Sequence, residues 1–229
     1  MFNMFENINY KEIFAHNEKV NQDNIEIAHK LIEEVSVNHI ELGQGDEARV
    51  YFSHDVNKQD FCVKELHLPP RIFVVNTIQQ EMSLQEQAIQ SGVRSPKPVL
   101  CLETDKGESF LVMETIKGHN LLEIIEKGLA LPENFKQEFF WDELKNMLDK
   151  LHAEQIYHRD IKLANIMMDY TDGSPIIIDY GRAARVVGED NPYIDIDYGK
   201  NEQINYKDDL KALNSVKSQF TSYLTNRLK

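Results

Sequence analysis

The chain has 229 residues, of which 41% are hydrophobic and 28% charged, fractions typical of a soluble globular protein long enough to bury a core. Its 38 acidic and 25 basic residues give a net charge of −13. The sequence has no stripe of basic residues that could bind along a phosphate backbone, so nucleic-acid binding is disfavoured as the main role. No apolar run could span a bilayer, and Cys62 and Cys101 lie inside apolar runs, which predicts a reducing compartment and no disulfide.

Residues 1–37 are predicted to form a helical extension. Ile25, Ala28, Ile32 and Val35 follow helical spacing and make a narrow apolar stripe. Such a stripe packs on the next domain or binds a host or partner protein, and both roles stay open. The N-terminus has acids and no cationic start before an apolar stretch, so no Sec-type signal is expected.

From residue 38 to residue 115 the pattern predicts five strands and one helix. The strands are the runs HIELGQ, ARVYFS, DFCVKEL, KPVLCLET and ESFLVMET, which are expected to pair antiparallel. The helix, VNTIQQEMSLQEQAIQSG, lies between the third and fourth runs and ends at Gly92. The tripeptide DKG between the last two runs is a hairpin signal.

Residues 116–229 are predicted to be mainly helical, which makes the chain an α+β fold. One long helix after Pro132 has an apolar face of Phe139, Phe140, Leu144, Met147, Leu148 and Leu151. Two short apolar runs, NIMMD and IIID, follow and are joined by the turn TDGSP. A last helix begins near DDLKAL.

Polar residues interrupt these two apolar runs, where packing alone would favour Val or Leu. They are His158, Arg159, Asp160, Lys162 and Asn165 in YHRDIKLANIMMD, and Asp179 with Gly181 in IIIDYG. In this order and spacing they resemble the motifs of eukaryotic-type protein kinases, over residues 38–215. Seven matched positions have a chance probability on the order of 10⁻⁹ per alignment, since each residue type occurs at about one position in twenty.

The resemblance implies a bilobal protein-kinase-like fold that uses ATP and Mg²⁺ to transfer the γ-phosphate to Ser or Thr of a protein substrate. In that reading Asp160 orients the substrate hydroxyl. Lys162 reaches the γ-phosphate, and its presence favours Ser/Thr over Tyr. Asn165 and Asp179 provide the oxygen ligands that Mg²⁺ prefers. Tyr180 stands where the family usually has Phe.

The resemblance also assigns phosphate binding to the five predicted strands. Gly43 and Gly45 would let the backbone approach the phosphates. Lys64 lies within an apolar run, where an unpaired ammonium is costly to bury, so it should pair with a carboxylate of the following helix. Glu81 is the preferred partner, with the spacing of compact RIO-like and KEOPS-complex kinases. Glu86, with the spacing of larger kinases, is the alternative.

The adenine pocket follows from the same motif register. Its side chains would be Val50 and Cys62 as roof, Met167 as floor and Met113 as back wall. The backbones of Glu114 and Ile116 would hydrogen-bond the base. Plain core packing accounts for the apolar side chains equally well, so only the register argues for a pocket.

Only 48 residues, from Arg182 to Lys229, follow the Asp-Tyr-Gly motif, which predicts a minimal, truncated C-lobe. Asp209 is expected to anchor it by accepting backbone N–H groups near His158 and Arg159. Such a lobe resembles the kinases that bacteria inject into host cells as effectors. The predicted location is the cytoplasm, and under the effector hypothesis it is the cytoplasm of a host.

Residues 182–214 contain no Ser or Thr, so the usual phosphothreonine that pairs with the arginine before the catalytic aspartate cannot form there. Four acids of this segment are candidates to pair with Arg159 instead: Glu189, Asp190, Asp195 and Asp197. We therefore expect activity without loop phosphorylation, unless one of three tyrosines is modified: Tyr193, Tyr198 or Tyr206.

Two other functions remain open. The first is a kinase-shaped module that binds a partner with weak or no activity, which the intact polar residues disfavour. The second is a small-molecule phosphotransferase of the aminoglycoside type, which usually lacks the residues found here at Arg159 and Lys162.

Overall fold

The computed structural model describes residues 10–15, 30, 40–44, 48–54, 60–66, 76–104, 107–185 and 206–227. They divide into two compact units. The first unit holds six strands and residues 77–86, and the second holds Asn76, residues 87–95 and the described chain from Ile116 onwards. The sequence pattern assigns all of 38–115 to one unit. Asn76 and residues 87–95 instead cluster with the second, because Asn76 and Arg94 hydrogen-bond residues 169–183.

The first unit is built on one antiparallel sheet. Its strands are β1 (Tyr10–Ala15), β2 (Ile40–Gln44), β3 (Ala48–His54), β4 (Asp60–Leu66), β5 (Pro98–Thr104) and β6 (Ser109–Glu114). They lie side by side in the order β1-β5-β6-β4-β3-β2. All five strands predicted from the sequence are present and pair antiparallel, which confirms that part of the predicted fold.

The sixth strand, β1, shows that the helical prediction for residues 1–37 is wrong over residues 10–15. It pairs with β5 from Tyr10 opposite Thr104 to Ala15 opposite Leu100. This pairing satisfies backbone groups along an edge of β5 that would otherwise lack partners, and a long-range gain of that kind outweighs local preference. The four residues of the helical stripe, Ile25, Ala28, Ile32 and Val35, lie outside the described residues.

Alternation of side chains buries both faces of the sheet. One face carries a cluster of Tyr51, Phe61, Val63, Leu100, Leu102, Phe110 and Val112. On the other face, Cys101, Leu111 and Met113 pack against Ile78 and Met82 of helix α1 (Ile78–Gln90). A charged residue in the middle of such a sheet has no route to water, and Lys64 of β4 is 6% exposed.

In the second unit the described residues form three further α-helices, one 3-10 helix (Leu163–Asn165) and five short strands. The helices are α2 (Leu121–Lys127), α3 (Gln137–Ala153) and α4 (Tyr206–Arg227). The strands are β7 (Gly118–Asn120), β8 (Ile156–Tyr157), β9 (Ile166–Asp169), β10 (Pro175–Ile177) and β11 (Ala184–Arg185). β9 lies between β10 and β7, and β8 pairs with β11. None of the described helices combines the length and apolarity that a membrane crossing requires.

The buried face of α3 differs from the prediction at one position. Five predicted residues are buried, Phe140, Leu144, Met147, Leu148 and Leu151. Phe139 is 53% exposed, and Trp141 is 2% exposed in its place. Trp141 lies three residues before Leu144, on the same helix face, and its ring centroid is 6.1 Å from that of Phe220 in α4.

Candidate active site

In the segment that follows β8, two polar side chains bond the Asp160 carboxylate. Lys162 Nζ donates to Asp160 Oδ2 at 2.6 Å. Asn165 Nδ2 donates to the same carboxylate oxygen at 2.8 Å and to the Asp160 carbonyl at 2.9 Å. These bonds hold the Asp160 side chain against its own loop. Because both donors use Oδ2, the Oδ1 atom keeps its lone pairs for an incoming hydroxyl.

The same loop is tied to the segment that carries Asp179. His158 is buried, and its Nε2 lies 3.1 Å from the carbonyl oxygen of Ile178. A carbonyl only accepts hydrogen bonds, so Nε2 carries the ring proton. The Ile178 N–H donates to the Asn165 carbonyl at 3.0 Å. One backbone hydrogen bond therefore joins Asn165, a predicted Mg²⁺ ligand, to the residue directly before Asp179, the other predicted ligand.

Asp179 has an unusual backbone conformation, with a φ of 67°. This left-handed region is uncommon for residues other than glycine. The carboxylate Oδ1 accepts the Gly181 N–H at 3.3 Å, which closes a short turn. Tyr180 is fully buried, with its ring edge-on to His158 at 5.1 Å between centroids. Its position therefore keeps the aromatic packing expected from the family's Phe.

The side-chain oxygen atoms of Asn165 and Asp179 suit Mg²⁺, which prefers oxygen ligands. Both bonds from the Asn165 amide nitrogen go to Asp160, so its amide oxygen remains for a cation. Asp179 adds a carboxylate. Within the described ranges, no three or more His, Cys, Asp and Glu side chains gather into a metal site. One amide and one carboxylate fit a Mg²⁺ ion that completes its shell with water and phosphate oxygens.

Asp209 of α4 anchors the loop as predicted. It is 3% exposed, and its carboxylate accepts the backbone N–H of His158 at 2.9 Å and that of Arg159 at 2.8 Å. His152 Nε2 lies 3.0 Å from the same carboxylate. Burial alone would raise the pKa of Asp209. The hydrogen bond from His152, with the attraction of His158 and the backbone donors, outweighs burial, so the pKa lies below its ordinary value.

Asp209→Asn is expected to lower the free energy of unfolding by about 2 kcal/mol at pH 7, because an amide cannot accept all three donors. The lowered pKa means that the ionised Asp209 stabilises the fold above its unfolded-state pKa of about 4 and loses this effect as the pH falls through the folded-state pKa. The difference between wild type and variant should therefore shrink below about pH 4.

Urea unfolding between pH 7 and pH 3 measures this difference. The matched control is Asp208→Asn, since Asp208 is the preceding residue and its side chain is 63% exposed. The control should lose little stability at any pH. A constant difference for Asp209→Asn down to pH 3 would contradict the account.

In the first unit, Lys64 Nζ lies 2.7 Å from Glu81 Oε1, and the two side chains are 8% and 1% exposed. This contact selects Glu81 over Glu86 as the partner of Lys64. The pair joins β4 to α1. Removing one partner of an ion pair this deeply buried is costly, because the charge that remains is desolvated and has lost its counter-ion.

The other predicted binding residues lie as follows. In the first unit, Gly43 is in β2, Val50 in β3, Cys62 in β4, and Met113 with Glu114 at the end of β6. In the second unit, Ile116 precedes β7 and Met167 lies in β9. Outside the described residues are Gly45, four acids and two tyrosines: Glu189, Asp190, Asp195, Asp197, Tyr193 and Tyr198.

The contacts of two predicted adenine-pocket residues, Cys62 and Glu114, are as follows. Cys62 pairs with Met113 across the β4–β6 ladder. Burial raises the pKa of the Cys62 thiol, against the opposing effect of its contact with Thr115 Oγ1 at 3.8 Å, so it presents a neutral surface at pH 7. The Glu114 N–H donates to the Lys97 carbonyl at 2.9 Å, so of its two backbone groups only the carbonyl is a candidate to bond a base.

A cavity of about 360 Å³ adjoins the Asp160 loop within the second unit. It is lined by residues 161–164, by Leu122 of α2 and by the α4 surface between Ala212 and Gln219. Lys162 belongs both to this lining and to the contact with Asp160. Lys162 therefore connects the cavity lining to the Asp160 carboxylate.

Two side chains near the site are not singled out by the sequence. His152 contacts Asp209, as described, and Asn76 Nδ2 donates to the carbonyls of Tyr180 and Ala183. His152 carries no motif signal. For Asn76 a signal exists. Thr77 and Gln80 have the spacing of a capping box, which predicts that the helix begins at residue 78 and that Asn76 lies just before it.

Comparison with known proteins agrees with this geometry. CBL-interacting serine/threonine-protein kinase 16 of Arabidopsis thaliana is 28% identical over 152 residues, 65% of this chain and 31% of that protein. CBL-interacting serine/threonine-protein kinase 20 of the same plant is 30% identical over 145 residues, 62% of this chain and 32% of that protein. Serine/threonine-protein kinase B of Synechocystis sp. is 36% identical over 77 residues, 34% of this chain and 13% of that protein.

The aligned part spans a third or less of the length of each of these relatives. A family model described as protein kinase domain matches residues 36–213, which is well over half of the chain. The matched range contains both predicted Mg²⁺ ligands and Asp160, as well as the Lys64–Glu81 pair. The chain therefore belongs to the protein kinase domain family.

Proposed function

We propose that the protein is a Mg-ATP-dependent protein kinase that transfers the γ-phosphate to Ser or Thr of a polypeptide. The observation that carries the proposal is the Asp160 carboxylate held by two donors of the same short segment, since Oδ2 accepts from Lys162 Nζ at 2.6 Å and from Asn165 Nδ2 at 2.8 Å. Relatives named as serine/threonine kinases support the choice of acceptor. Phosphoryl transfer needs positioning and charge stabilisation more than covalent chemistry, and rigidly held polar groups provide both.

In this proposal Asp160 accepts a hydrogen bond from the substrate hydroxyl through Oδ1. Asn165 and Lys162 hold the carboxylate in one orientation through Oδ2, so the acceptor site is organised before the substrate arrives. Lys162 is half exposed, with 52% of its side chain in contact with solvent. Its ammonium is available to the transferring phosphate, at the cost of its bond to Asp160.

Asn165 and Asp179 would hold Mg²⁺, which when bound screens the charge of the phosphates. Lys64, kept in place by Glu81, would bind phosphate oxygens, and Gly43 and Gly45 would cover them. The adenine would contact the side chains of Val50, Cys62, Met113 and Met167 and the backbones of Glu114 and Ile116. These roles follow the motif register.

The cavity beside Asp160 favours a polypeptide over an aminoglycoside as substrate. Its described lining contains no Asp or Glu, and its one charge, Lys162, is already paired. Aminoglycosides carry several ammonium groups, which such a lining would not bind. The cavity would instead receive an uncharged side chain of the polypeptide close to the acceptor hydroxyl.

We further propose that the kinase is active without Ser or Thr phosphorylation of residues 182–214, which contain neither residue. Phosphatase-treated and untreated protein should phosphorylate a substrate at rates within about twofold of each other, since no phosphothreonine switch is available. Intact-mass spectrometry would verify removal of phosphate. A tenfold or larger loss on treatment would contradict this and point to the tyrosines. Secretion as an effector, a cytoplasmic location and partner binding by residues 1–37 stay predictions.

The test of function is transfer of labelled phosphate from ATP. The full chain is incubated with Mg²⁺, γ-labelled ATP and a heat-inactivated cell lysate, beside Asp160→Ala. Labelled protein bands that are absent with Asp160→Ala, and that yield phosphoserine or phosphothreonine on hydrolysis, are the expected result. Label on aminoglycosides alone would favour the small-molecule alternative. No label on any substrate would favour the partner-binding module.

A further inference from the structure

Asn76 directs all its hydrogen-bond donors to one turn. Its Nδ2 donates to the Tyr180 carbonyl at 2.9 Å and to the Ala183 carbonyl at 2.8 Å. Its backbone N–H donates to the Gly181 carbonyl at 2.7 Å. An asparagine has two side-chain N–H groups and one backbone N–H. Three carbonyl groups of the turn that follows Asp179 therefore accept hydrogen bonds from one residue, which lies more than 100 positions earlier in the chain.

The turn depends on donors from elsewhere because it is buried. Tyr180 and Ala183 are 0% and 2% exposed, and a buried carbonyl without a partner costs about 1–3 kcal/mol. Asp179, directly before the turn, has a φ of 67°, which costs about 1 kcal/mol for a residue other than glycine. Contacts outside the turn must therefore hold this conformation, and Asn76 makes three of them.

The chain around Asn76 is itself held in place. Thr77 N–H donates to Gln80 Oε1 at 3.0 Å, and Gln80 N–H donates to Thr77 Oγ1 at 3.3 Å. This reciprocal pattern is a capping box, which sets the first turn of α1. Asn76 is the residue directly before this capping box in the sequence.

We propose that Asn76 is a positioning residue for phosphoryl transfer. By holding the Tyr180–Ala183 turn, it keeps the Asp179 carboxylate in the orientation that Mg²⁺ binding requires. The inference rests on the proposed function and adds to it a residue outside the family's motifs. It also accounts for a turn that stays ordered without a phosphorylated loop, since the stabilising donors belong to the unmodified chain.

The test compares Asn76→Ala with Asn134→Ala. Asn134 is a matched control because its Nδ2 also donates to a backbone carbonyl, that of Thr171, at 3.2 Å. Three quantities are measured on the full chain: the Kd for ATP at several Mg²⁺ concentrations, the Mg²⁺ concentration for half-maximal phosphorylation, and deuterium exchange of amides 180–184. Asn76→Ala should raise the Mg²⁺ requirement about tenfold and speed exchange of the turn, because two side-chain hydrogen bonds to it are lost.

A merely structural role predicts a different result. In that case Asn76→Ala would lower the Tm and the active fraction while leaving the Mg²⁺ requirement of the folded protein unchanged, and this outcome would overturn the proposal. Equal behaviour of both variants would overturn it as well. If Asn76→Ala does not fold, Asn76→Ser, which keeps one donor, is measured in the same way. An unchanged Mg²⁺ requirement for that variant would count against the proposal.

Failure of the proposed function is distinguishable from failure of this inference. If the wild type binds Mg-ATP but phosphorylates nothing, the kinase assignment fails, while the Kd series and the exchange data still decide the role of Asn76. If the wild type phosphorylates proteins and Asn76→Ala keeps the wild-type Mg²⁺ requirement, only the inference fails.

Discussion

Asp160→Asn is expected to lower kcat for protein phosphorylation about 1,000-fold, within the range of 10² to 10⁴ that a positioned acid–base group contributes. The amide keeps the size of the side chain, so the loop should stay folded. It cannot hold Lys162 and Asn165 through one oxygen and also accept a substrate hydroxyl with the strength of a carboxylate. ATP binding should change little, because Asp160 is assigned to the hydroxyl and not to the nucleotide.

Steady-state kinetics with a purified substrate would measure the effect, with nucleotide affinity determined separately. The control is Asp149→Asn in α3, because Asp149 also accepts from a lysine, Lys145 Nζ, at 2.6 Å, and 51% of its side chain is exposed. Its kcat should stay within twofold of wild type. If Asp160→Asn retained more than a tenth of the wild-type kcat, the assignment of Asp160 would be wrong.

Lys64→Met is expected to cost stability as well as activity. It leaves Glu81, 1% exposed, without its cation, and breaking a buried ion pair costs about 3–5 kcal/mol. Replacing both partners, as in Lys64→Met with Glu81→Met, removes the unpaired charge and should restore most of the lost stability. Phosphorylation should stay at least about 100-fold below wild type in both proteins, since neither has a cation for the phosphates.

Thermal unfolding and kinase activity of the single and double variants separate the two effects. Lys127→Met is the matched control. Lys127 Nζ lies at the same 2.7 Å from Glu123 Oε1, but 58% of the lysine side chain is exposed. It should leave both Tm and activity unchanged. Recovery of activity in the double variant would show that Lys64 has only a structural role.

The features that sequence predicts well are those with a local or motif signature. The five strands, the Lys64–Glu81 contact and the Asp209 anchor all appear in the structure. Lys64 illustrates why: a cation inside an apolar strand must have a carboxylate near it, and the next helix offers few. Likewise, the polar residues around Asp160 stand where packing would favour apolar ones, so their presence already indicates chemistry.

The features that the sequence does not predict depend on long-range pairing. β1 occupies an edge of β5 about 90 residues later, and its own six residues carry no helical or strand pattern strong enough to decide. Trp141 replaces Phe139 on the buried face of α3, where its ring contacts Phe220 of α4, about 80 residues later in the chain. The contact of Asn76 with the turn at Tyr180–Ala183 likewise joins segments that no local motif relates.

The central claim is that the protein binds one magnesium-bound triphosphate and that Asp179 is one of the Mg²⁺ ligands. Isothermal titration of ATP into the full chain, with Mg²⁺ and with EDTA, tests it most directly when repeated with Asp179→Ala. The account predicts one site per chain whose affinity depends on Mg²⁺, with that dependence lost in Asp179→Ala. No binding by the wild type in the presence of Mg²⁺, or equal affinity with EDTA, would contradict it.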